Sequence, residues 1–361
     1  YVYLPTEAST NDFYGGHRPG DNLFTQSLVA LDASTGDRVW HFQMIHHGLW
    51  DYDTPAAPNL IDITVDGREI KAIAQVTKQG FTYVFDRATG VPVWPIIERA
   101  VPAATIPGER ASPTQPFPTK PPAFALQGLT EDDLIDFTPA LRAEAVQRLE
   151  NFTYGPLFTP PSLPQGDKRG TILMPGAGGG ANWTGAGIDP ESGVLFVPSR
   201  DSATVPRMGT LDGDESNFNY FRLNFLGVAG PQGLPLLKPP YSTITAFDMN
   251  SGEILWRVPN GAGSAQVENS PALEGIDLPP LGGGGRHAVL VTSSLLIHGQ
   301  NAGYGPLLVA RNKETGAEMA TIEIPANPSG APMSYSVDGR QYIAISVGST
   351  PVPELVVYAL P

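Results

Sequence analysis

The sequence predicts an all-β protein, a β-propeller built from four-stranded blades. Three observations lead to this prediction. A short turn motif recurs along the chain, most copies are separated by roughly 54 to 64 residues, and glycine and proline cluster between runs rich in Val, Ile and Leu. A period of that length has room for about four strands. With 40 glycines and 37 prolines among 361 residues, the chain has the composition expected of many turns.

The recurring motif is an apolar strand that ends in Asp or Asn, with a glycine four residues later. The clear copies contain Asp32, Asp86 and Asp248, and weaker copies run over 187–193 and 310–316. Because Asp and Asn bond their own backbone and glycine accepts a positive φ, each copy predicts a hairpin with a second strand behind it. Three copies end in tryptophans that we interpret as docking residues between blades, without a chemical role. They are Trp40, Trp94 and Trp256.

One interval between repeats is nearly twice the period, and most of its excess lies in a Pro-rich stretch, residues 95–164. Short helices are predicted there over Glu131–Phe137 and Pro139–Leu149, because Thr138 followed by Pro139 has the pattern of an N-cap and a first-turn proline. The stretch is too rich in phenylalanine for a disordered linker. We interpret it as an insertion packed over one face of the sheets, within a single, partial propeller domain spanning 1–361.

Composition and missing motifs exclude several classes of function. The net charge of −14 argues against nucleic acid and anionic membrane surfaces as partners. No apolar run in the sequence approaches the length of a membrane span, and the absence of cysteine excludes disulfides and thiolate metal sites. The sequence has no zinc-protease histidine spacing, phosphate-binding Gly-Lys-Ser/Thr loop or Gly-x-Ser-x-Gly elbow, which disfavours hydrolases and nucleotide-binding proteins.

Two segments, His46–Asp53 and Thr77–Gly80, predict an acid–base site. Asp51 lies among bulky aromatic and imidazole groups, and such surroundings make a carboxylate more basic. Lys78 follows a neighbouring strand-like run and could hold an anion nearby. Asp53 is the rival candidate for the base. A glycine-rich run, 176–180, precedes a strand rather than a helix, so we expect it to approach a flat ligand closely rather than cradle a phosphate.

Taken together, these motifs resemble the pyrroloquinoline quinone (PQQ) dehydrogenases, the quinoproteins. The resemblance rests on the tryptophan-bearing repeats and on four further segments in the family's order, and it covers essentially the whole chain. The segments are His46–Asp53, Thr77–Gly80, Gly179–Trp183 and Val337–Tyr342. Within 95–164, the runs Ser-Pro-Thr-Gln-Pro-Phe-Pro-Thr-Lys-Pro-Pro from Ser112 and Gly-Leu-Thr-Glu-Asp-Asp from Gly128 are similar to the membrane-bound glucose dehydrogenase branch.

The resemblance implies the C-terminal blades of an eight-bladed propeller that faces the periplasm and binds PQQ with a divalent cation, calcium or magnesium. By the same resemblance, Asp51 corresponds to the base that takes a proton from the substrate hydroxyl while hydride passes to PQQ. Lys78 corresponds to the residue that bonds the quinone oxygens, and Asn182 and Trp183 to a loop beside the cofactor. The implied substrate is glucose, a polyol or a cyclic alcohol, and the implied acceptor is a quinone.

The chain also departs from the family's pattern. It contains about five recognisable repeats where the family has eight, so we expect the remaining blades, with cofactor-stacking groups and a metal carboxylate, on an N-terminal half. Membrane association would then depend on a part outside this chain. At 5–9, where many relatives have an asparagine on the cation, the sequence has Glu7 and Ala8. We therefore assign no metal ligand, although the Glu7 carboxylate suits calcium or magnesium.

Two other interpretations remain open from the sequence. Propellers built from similar tryptophan-bearing repeats also serve as non-catalytic assembly scaffolds, which need neither Asp51 and Lys78 together nor the Pro-rich insertion. Alternatively, the chain is an incomplete fragment or one piece of a split enzyme that needs an N-terminal partner.

Overall fold

The computed structural model describes residues 1–211, 215–302, 305–348 and 352–359. Within these ranges the chain consists mainly of antiparallel strands, with two helices, α1 (Pro139–Leu149) and α2 (Ala265–Glu268). Neither helix is long and apolar enough to cross a membrane. The strands are β1 (Val2–Pro5), β2 (Ser27–Leu31), β3 (Arg38–Gln43), β4 (Asn59–Val65), β5 (Arg68–Val76), β6 (Thr82–Asp86), β7 (Ile96–Ala100), β8 (Thr114–Pro118), β9 (Gly187–Asp189), β10 (Val194–Arg200), β11 (Val205–Gly209), β12 (Phe221–Leu226), β13 (Ser242–Asp248), β14 (Glu253–Pro259), β15 (Val289–Val291), β16 (Leu295–Ala302), β17 (Gly305–Asn312), β18 (Glu318–Glu323), β19 (Met333–Val337), β20 (Arg340–Val347) and β21 (Glu354–Ala359).

The chain divides into two compact units. Unit 1 consists of Tyr1–Leu60, Lys71–Trp183 and Asp201–Lys238, and unit 2 of Ile61–Ile70, Thr184–Arg200 and Pro239–Pro361. In unit 1, β1, β2 and β3 form one sheet, and β5 pairs with β6, β7 with β8 and β11 with β12. In unit 2, β9, β10, β13 and β14 form a four-stranded sheet, as do β15 to β18, and β19 to β21 form a three-stranded one. The predicted four-stranded blade is therefore complete in two sheets of unit 2.

The repeated turns have one geometry throughout. In all five copies the glycine N–H donates to the carbonyl oxygen of the Asp or Asn four residues earlier, at 2.8 or 2.9 Å. Each of these glycines has a φ between 72° and 78°, a conformation that side chains other than glycine rarely adopt. Four copies join paired antiparallel strands, which confirms the hairpins predicted at Asp32, Asp248, 187–193 and 310–316.

The copy at Asp86 is different, and the second strand predicted there is wrong. After Gly90 the chain pairs only briefly before it leaves the sheet: the Asp86 N–H donates to the Val91 carbonyl at 2.8 Å and the Val93 N–H to that of Val84 at 2.9 Å, around an isolated bridge between Phe85 and Pro92. The next strand, β7, pairs instead with β8 in the Pro-rich stretch. The physical reason is Pro95: in this register the next hydrogen-bonded position falls on it, and proline has no N–H to donate.

Two of the three tryptophans pack against the turn of the following repeat. The Trp40 indole donates to the Arg87 carbonyl oxygen at 3.0 Å, and the Trp256 indole donates to that of Lys313 at 3.2 Å. A Cβ atom on Gly90 would lie 2.6 Å from the Trp40 ring, so the turn glycine also makes room for the indole. These contacts confirm the interpretation of both tryptophans as docking residues, whereas Trp94 lies outside the strands.

In the Pro-rich stretch, α1 has the bounds that the sequence predicts. The Thr138 hydroxyl accepts from the Leu141 N–H at 3.1 Å, as an N-cap does, and Leu141, Ala145 and Leu149 form the buried face. The first predicted helix is shorter than expected, a single 3-10 turn at Glu131–Asp133. Asp133 forms a capping box with Thr130, and the turn ends at Leu134, whose backbone is extended.

The core of unit 1 is aromatic, and it surrounds the segment that carries the predicted site. Trp50 and Tyr52 are each 1% exposed and pack with Phe158 of the Pro-rich stretch. Burial of each such side chain contributes about 1.5–3 kcal/mol. Their polar ends are also satisfied, because the Trp50 indole donates to the Thr159 carbonyl at 2.9 Å and the Tyr52 hydroxyl to that of Pro175. The loop between β3 and β4 is thus anchored on both sides of Asp51.

Candidate functional site

Lys78 brings the two loops of the predicted site together. Its ammonium group donates to the Asp51 carbonyl oxygen at 2.7 Å and to Oδ2 of Asp53 at 2.7 Å, and it lies 3.5 Å from Oδ1 of Asp51. The Lys78 side chain is 7% exposed, whereas those of Asp51 and Asp53 are 27% and 22% exposed. One buried cation therefore faces two carboxylates, and only Asp53 makes a short side-chain bond to it.

Asp51 has an unusual backbone conformation between two buried aromatic residues. Its φ is 56°, in the left-handed region that aspartate tolerates better than most side chains. Trp50 and Tyr52 are buried in the core, while the Asp51 carboxylate stays partly exposed at the edge of the site. Because the flanking aromatic residues are locked by packing, the position of the carboxylate is locked with them.

The carboxyl group of Asp51 is harder to ionise than that of an ordinary aspartate. Burial raises its pKa to about 7; Lys78 opposes this shift, and a hydrogen bond and like charge from Asp53 add to it. Asp12 adds a smaller repulsion. Near neutral pH a carboxyl group with such a pKa is partly ionised, and its ionised form is more basic than an ordinary carboxylate. Proton abstraction from a hydroxyl group needs a base of this kind.

Asp53 behaves in the opposite way. Burial alone would raise its pKa, but the ammonium group of Lys78 and the N–H of Ala8, which donates at 2.9 Å, together lower it. Asp53 therefore stays ionised and serves as the anchor of Lys78. The arrangement favours Asp51 over its rival as the base, since a carboxylate that already holds two strong donors takes up a proton poorly.

The glycine-rich loop packs directly on this lysine. The Gly180 N–H donates to the Lys78 carbonyl oxygen at 2.8 Å, and a Cβ on Gly179 would lie 2.5 Å from the Cβ of Lys78. These glycines are thus needed because the loop packs closely against Lys78, which is part of the protein itself. Downstream, Asn182 donates to the Gly178 carbonyl at 2.9 Å and holds the loop closed, while Trp183 is 59% exposed. The Trp183 indole therefore presents a large aromatic surface close in sequence to Gly180, which contacts Lys78.

Two participants were missed by sequence reasoning. Asp12 lies within electrostatic range of Lys78 and Asp53, and burial, followed by the charge of Asp53, raises its pKa. Ala8 contributes through its N–H to Asp53, so the segment at 5–9 does reach the site, although by its backbone. Glu7 itself is exposed. A backbone donor leaves no trace in residue identity, and Asp12 lies in a stretch without strand periodicity.

The two histidines have separate partners. His46 contacts Glu98 at 3.0 Å near the surface, whereas His47 is buried against Glu109 at 2.8 Å and bonds the Gly20 carbonyl at 2.7 Å. Among the described residues, no cluster of three or more His, Asp or Glu side chains is arranged to hold a metal ion.

Comparison with known proteins identifies the family. The family model "PQQ: Glucose/ethanol/alcohol dehydrogenase, beta-propeller domain" matches residues 1–343. The chain belongs to this family. The glycerol dehydrogenase large subunit of Gluconobacter oxydans is 33% identical, covering 100% of this chain and 52% of that protein. The quinoprotein glucose dehydrogenase of Escherichia coli is 30% identical, covering 100% of this chain and 47% of that protein.

A solved structure supports the fold of this PQQ dehydrogenase domain. Quinohemoprotein alcohol dehydrogenase from Comamonas testosteroni matches with a TM-score of 0.58 at 22% identity, covering 96% of this chain and 42% of that chain. The fold class predicted from the repeats, a β-propeller of four-stranded blades with docking tryptophans, is confirmed by the family and by this match. The chain spans about half the length of the curated relatives it matches.

The residues at the site fit a PQQ dehydrogenase domain. Two of the three N–H donors of Lys78 are held by short bonds, and the third makes only the 3.5 Å contact with Asp51, so Lys78 keeps one weakly used donor. The exposed indole of Trp183 offers a flat surface on which a planar cofactor could stack. The described residues offer no comparable set of ligands for the cation.

Proposed function

We propose that this chain contributes the base and the quinone-binding lysine of a PQQ-dependent dehydrogenase that oxidises an alcohol or sugar hydroxyl group. The observation that carries the proposal is the unequal pair of carboxylates around one buried lysine. Burial raises the pKa of Asp51 to about 7, and Asp53 is committed to Lys78. A non-catalytic scaffold has no need of a carboxyl kept poised in this way.

In the proposed reaction, Asp51 accepts the proton of the substrate hydroxyl as the carbon–hydrogen bond breaks. PQQ, when bound, supplies the acceptor for the hydride, since no amino-acid side chain accepts one. With PQQ bound, Lys78 would hold a quinone oxygen through its weakly used N–H and would supply positive charge beside it. Asp53 and the Asp51 carbonyl keep the ammonium group in place, so little reorganisation is needed during the reaction.

The remaining parts of the proposal follow from the family. The substrate is glucose, a polyol or a cyclic alcohol, and the relatives include a glycerol dehydrogenase and a quinoprotein glucose dehydrogenase. We assign a calcium or magnesium ion beside PQQ, a quinone as the electron acceptor and the periplasm as the location. The matched relatives are about twice as long, so the remaining blades and the cation's ligands are proposed to come from an N-terminal half.

The test is a titration of the purified chain with PQQ and calcium or magnesium, followed by cofactor absorbance. Glucose, glycerol and a cyclic alcohol are then added with an artificial electron acceptor. Binding with turnover supports the proposal directly. If neither occurs, the titration is repeated with the N-terminal half of a relative supplied in trans. Absence of binding and turnover in both arms would contradict the proposal and favour a scaffold.

A further inference from the structure

The Pro-rich stretch makes a series of polar contacts with the loop that carries Asp51. The Gln115 side chain accepts from the His46 N–H at 2.8 Å and donates to the His46 carbonyl at 2.6 Å. On the other side of the loop, the Trp50 indole donates to the Thr159 carbonyl at 2.9 Å. Because these bonds join positions 69 and 109 residues apart, the loop conformation depends on the stretch being in place.

The most buried of these contacts is between His47 and Glu109. Their side chains are 1% and 2% exposed, and Nε2 of His47 lies 2.8 Å from Oε1 of Glu109. The other ring nitrogen, Nδ1, lies 2.7 Å from the carbonyl oxygen of Gly20, which can only accept. Glu109 also accepts from the N–H groups of Gly15 at 2.6 Å and Arg110 at 2.8 Å. Both ring nitrogens of His47 therefore face hydrogen-bond acceptors inside the protein.

The carboxylate side of this pair is held in its ionised form. Burial would raise the pKa of Glu109, but the hydrogen bond from His47 and those from the two backbone N–H groups together lower it. Two further titratable groups lie close, Arg18 and Tyr14. Arg18 donates to the Gly48 carbonyl at 2.7 Å, so a guanidinium group supports the same turn of the loop. His47 and Glu109 thus form a buried pair in which both side chains have hydrogen-bond partners.

The loop needs such support because its backbone is strained at two points. His47 has a φ of 47° and Asp51 a φ of 56°, both in the left-handed region, which costs energy for residues other than glycine. Such a conformation persists only where its surroundings impose it. The buried hydrogen bond to Glu109 fixes His47, and the packed aromatic residues on either side fix Asp51.

We propose that Glu109 is a positioning residue, which acts through His47 to hold the 46–53 loop so that Asp51 stays half-buried beside Lys78. The inference rests on the proposed function, because it takes Asp51 as the base. It also assigns a role to the Pro-rich stretch, which is to brace the catalytic loop. Glu98 offers a matched control, since it pairs with the neighbouring His46 from the same stretch but is 49% exposed.

The experiment compares Glu109→Gln with Glu98→Gln in the full polypeptide loaded with PQQ and cation. Glu109→Gln is expected to lower kcat by about 10- to 100-fold, as small misplacement of a catalytic group does, while KM and PQQ affinity change less than about threefold. The acid limb of the pH–rate profile is expected to move to lower pH, because Asp51, flanked by Lys78, Asp53 and Asp12, gains water. Glu98→Gln is expected to leave rate and profile unchanged. Equal behaviour of the two variants would overturn the proposal.

A second measurement needs no variant and so stands even if Glu109→Gln fails to fold. In the unsubstituted protein with nitrogen-15 histidine, NMR is expected to show a slowly exchanging ring N–H proton of His47, because the ring is buried between Glu109 and the Gly20 carbonyl. Fast exchange of the His47 ring protons with solvent would overturn the inference. The Asp51→Asn variant separates this inference from the proposed function: if it keeps full turnover, the proposed function is wrong. If it loses turnover while Glu109→Gln does not, only the positioning role fails.

Discussion

Each unit contains a lysine–aspartate pair with little exposure of the lysine, and the two pairs differ in how many carboxylates share that lysine. In unit 2, Lys313 donates to Oδ2 of Asp189 at 2.6 Å, and the same carboxylate accepts from the Ser192 hydroxyl and the Glu191 N–H. In unit 1, Lys78 is shared between Asp53 and Asp51. Burial opposes ionisation in both places, but the donors around Asp189 lower its pKa, whereas burial raises that of Asp51 to about 7.

The comparison teaches that the number of donors per carboxylate separates a structural pair from a reactive one. Asp189 is a turn residue of a repeat, with one lysine to itself and two further donors, so it has no capacity left for chemistry. The Asp51 carboxylate makes only the longer, 3.5 Å contact with the lysine that it shares with Asp53. It therefore remains able to take up a proton. The following substitutions break or sharpen this contrast.

The largest effect is expected for Asp51→Asn. An amide cannot accept the substrate proton, so turnover is expected to fall by about a hundred- to ten-thousand-fold while PQQ binding is retained. Steady-state kinetics and cofactor absorbance measure the two quantities. The counterpart in unit 2, Asp189→Asn, is the control, and the protein with this substitution is expected to keep its turnover. Unchanged turnover in Asp51→Asn would move the role of base to another group.

Lys78→Ala is expected to weaken both PQQ binding and rate. The loss of one charge-assisted hydrogen bond corresponds to about 10- to 100-fold in affinity. Lys313→Ala is the matched control, and we expect it to lower only the free energy of unfolding, by about 1–3 kcal/mol, because it leaves a buried carboxylate short of a donor. Normal PQQ affinity in Lys78→Ala would contradict the role of this lysine.

A smaller effect is expected for Asp53→Asn, which frees Lys78 to pair with Asp51. The pKa of Asp51 would then fall, since a repulsive neighbour is lost and an attractive one approaches. The acid limb of the pH–rate profile is expected to shift to lower pH, with a lower maximal rate because the base is weaker. A shift to higher pH would show that Asp53 does not control Asp51.

The smallest expected effect is on stability as a function of pH. A raised carboxyl pKa contributes stability that is complete below about pH 4, where carboxyl groups of the unfolded chain titrate, and is lost as the pH rises through about 7. Asp189, with its lowered pKa, contributes the reverse: stability present above about pH 4 and lost as the pH falls. Urea unfolding across this range should therefore show Asp51→Asn and Asp189→Asn differing from the unsubstituted protein with opposite slopes. Parallel curves would contradict the assigned shifts.

Local features of this fold could be predicted from the sequence because their causes are local. A turn aspartate bonds its own backbone and the glycine four residues later accepts a positive φ, so hairpins at Asp32 and Asp248 need no distant partner. The cap at Thr138 and the helix behind it follow in the same way. The second strand that the repeat predicts after Gly90 is missing because Pro95 has no N–H with which the ladder could continue.

The sequence by itself determined the repeats, the family and the pair of segments that carry Asp51 and Lys78. Only the tertiary structure decided which carboxylate the lysine holds tightly, because that depends on distances of a few ångströms between loops 25 or more residues apart. Asp12, the Ala8 N–H and the Glu109–His47 pair were likewise beyond prediction. Charge states in a buried site are set by all the donors around it, and those donors come together only when the chain is folded.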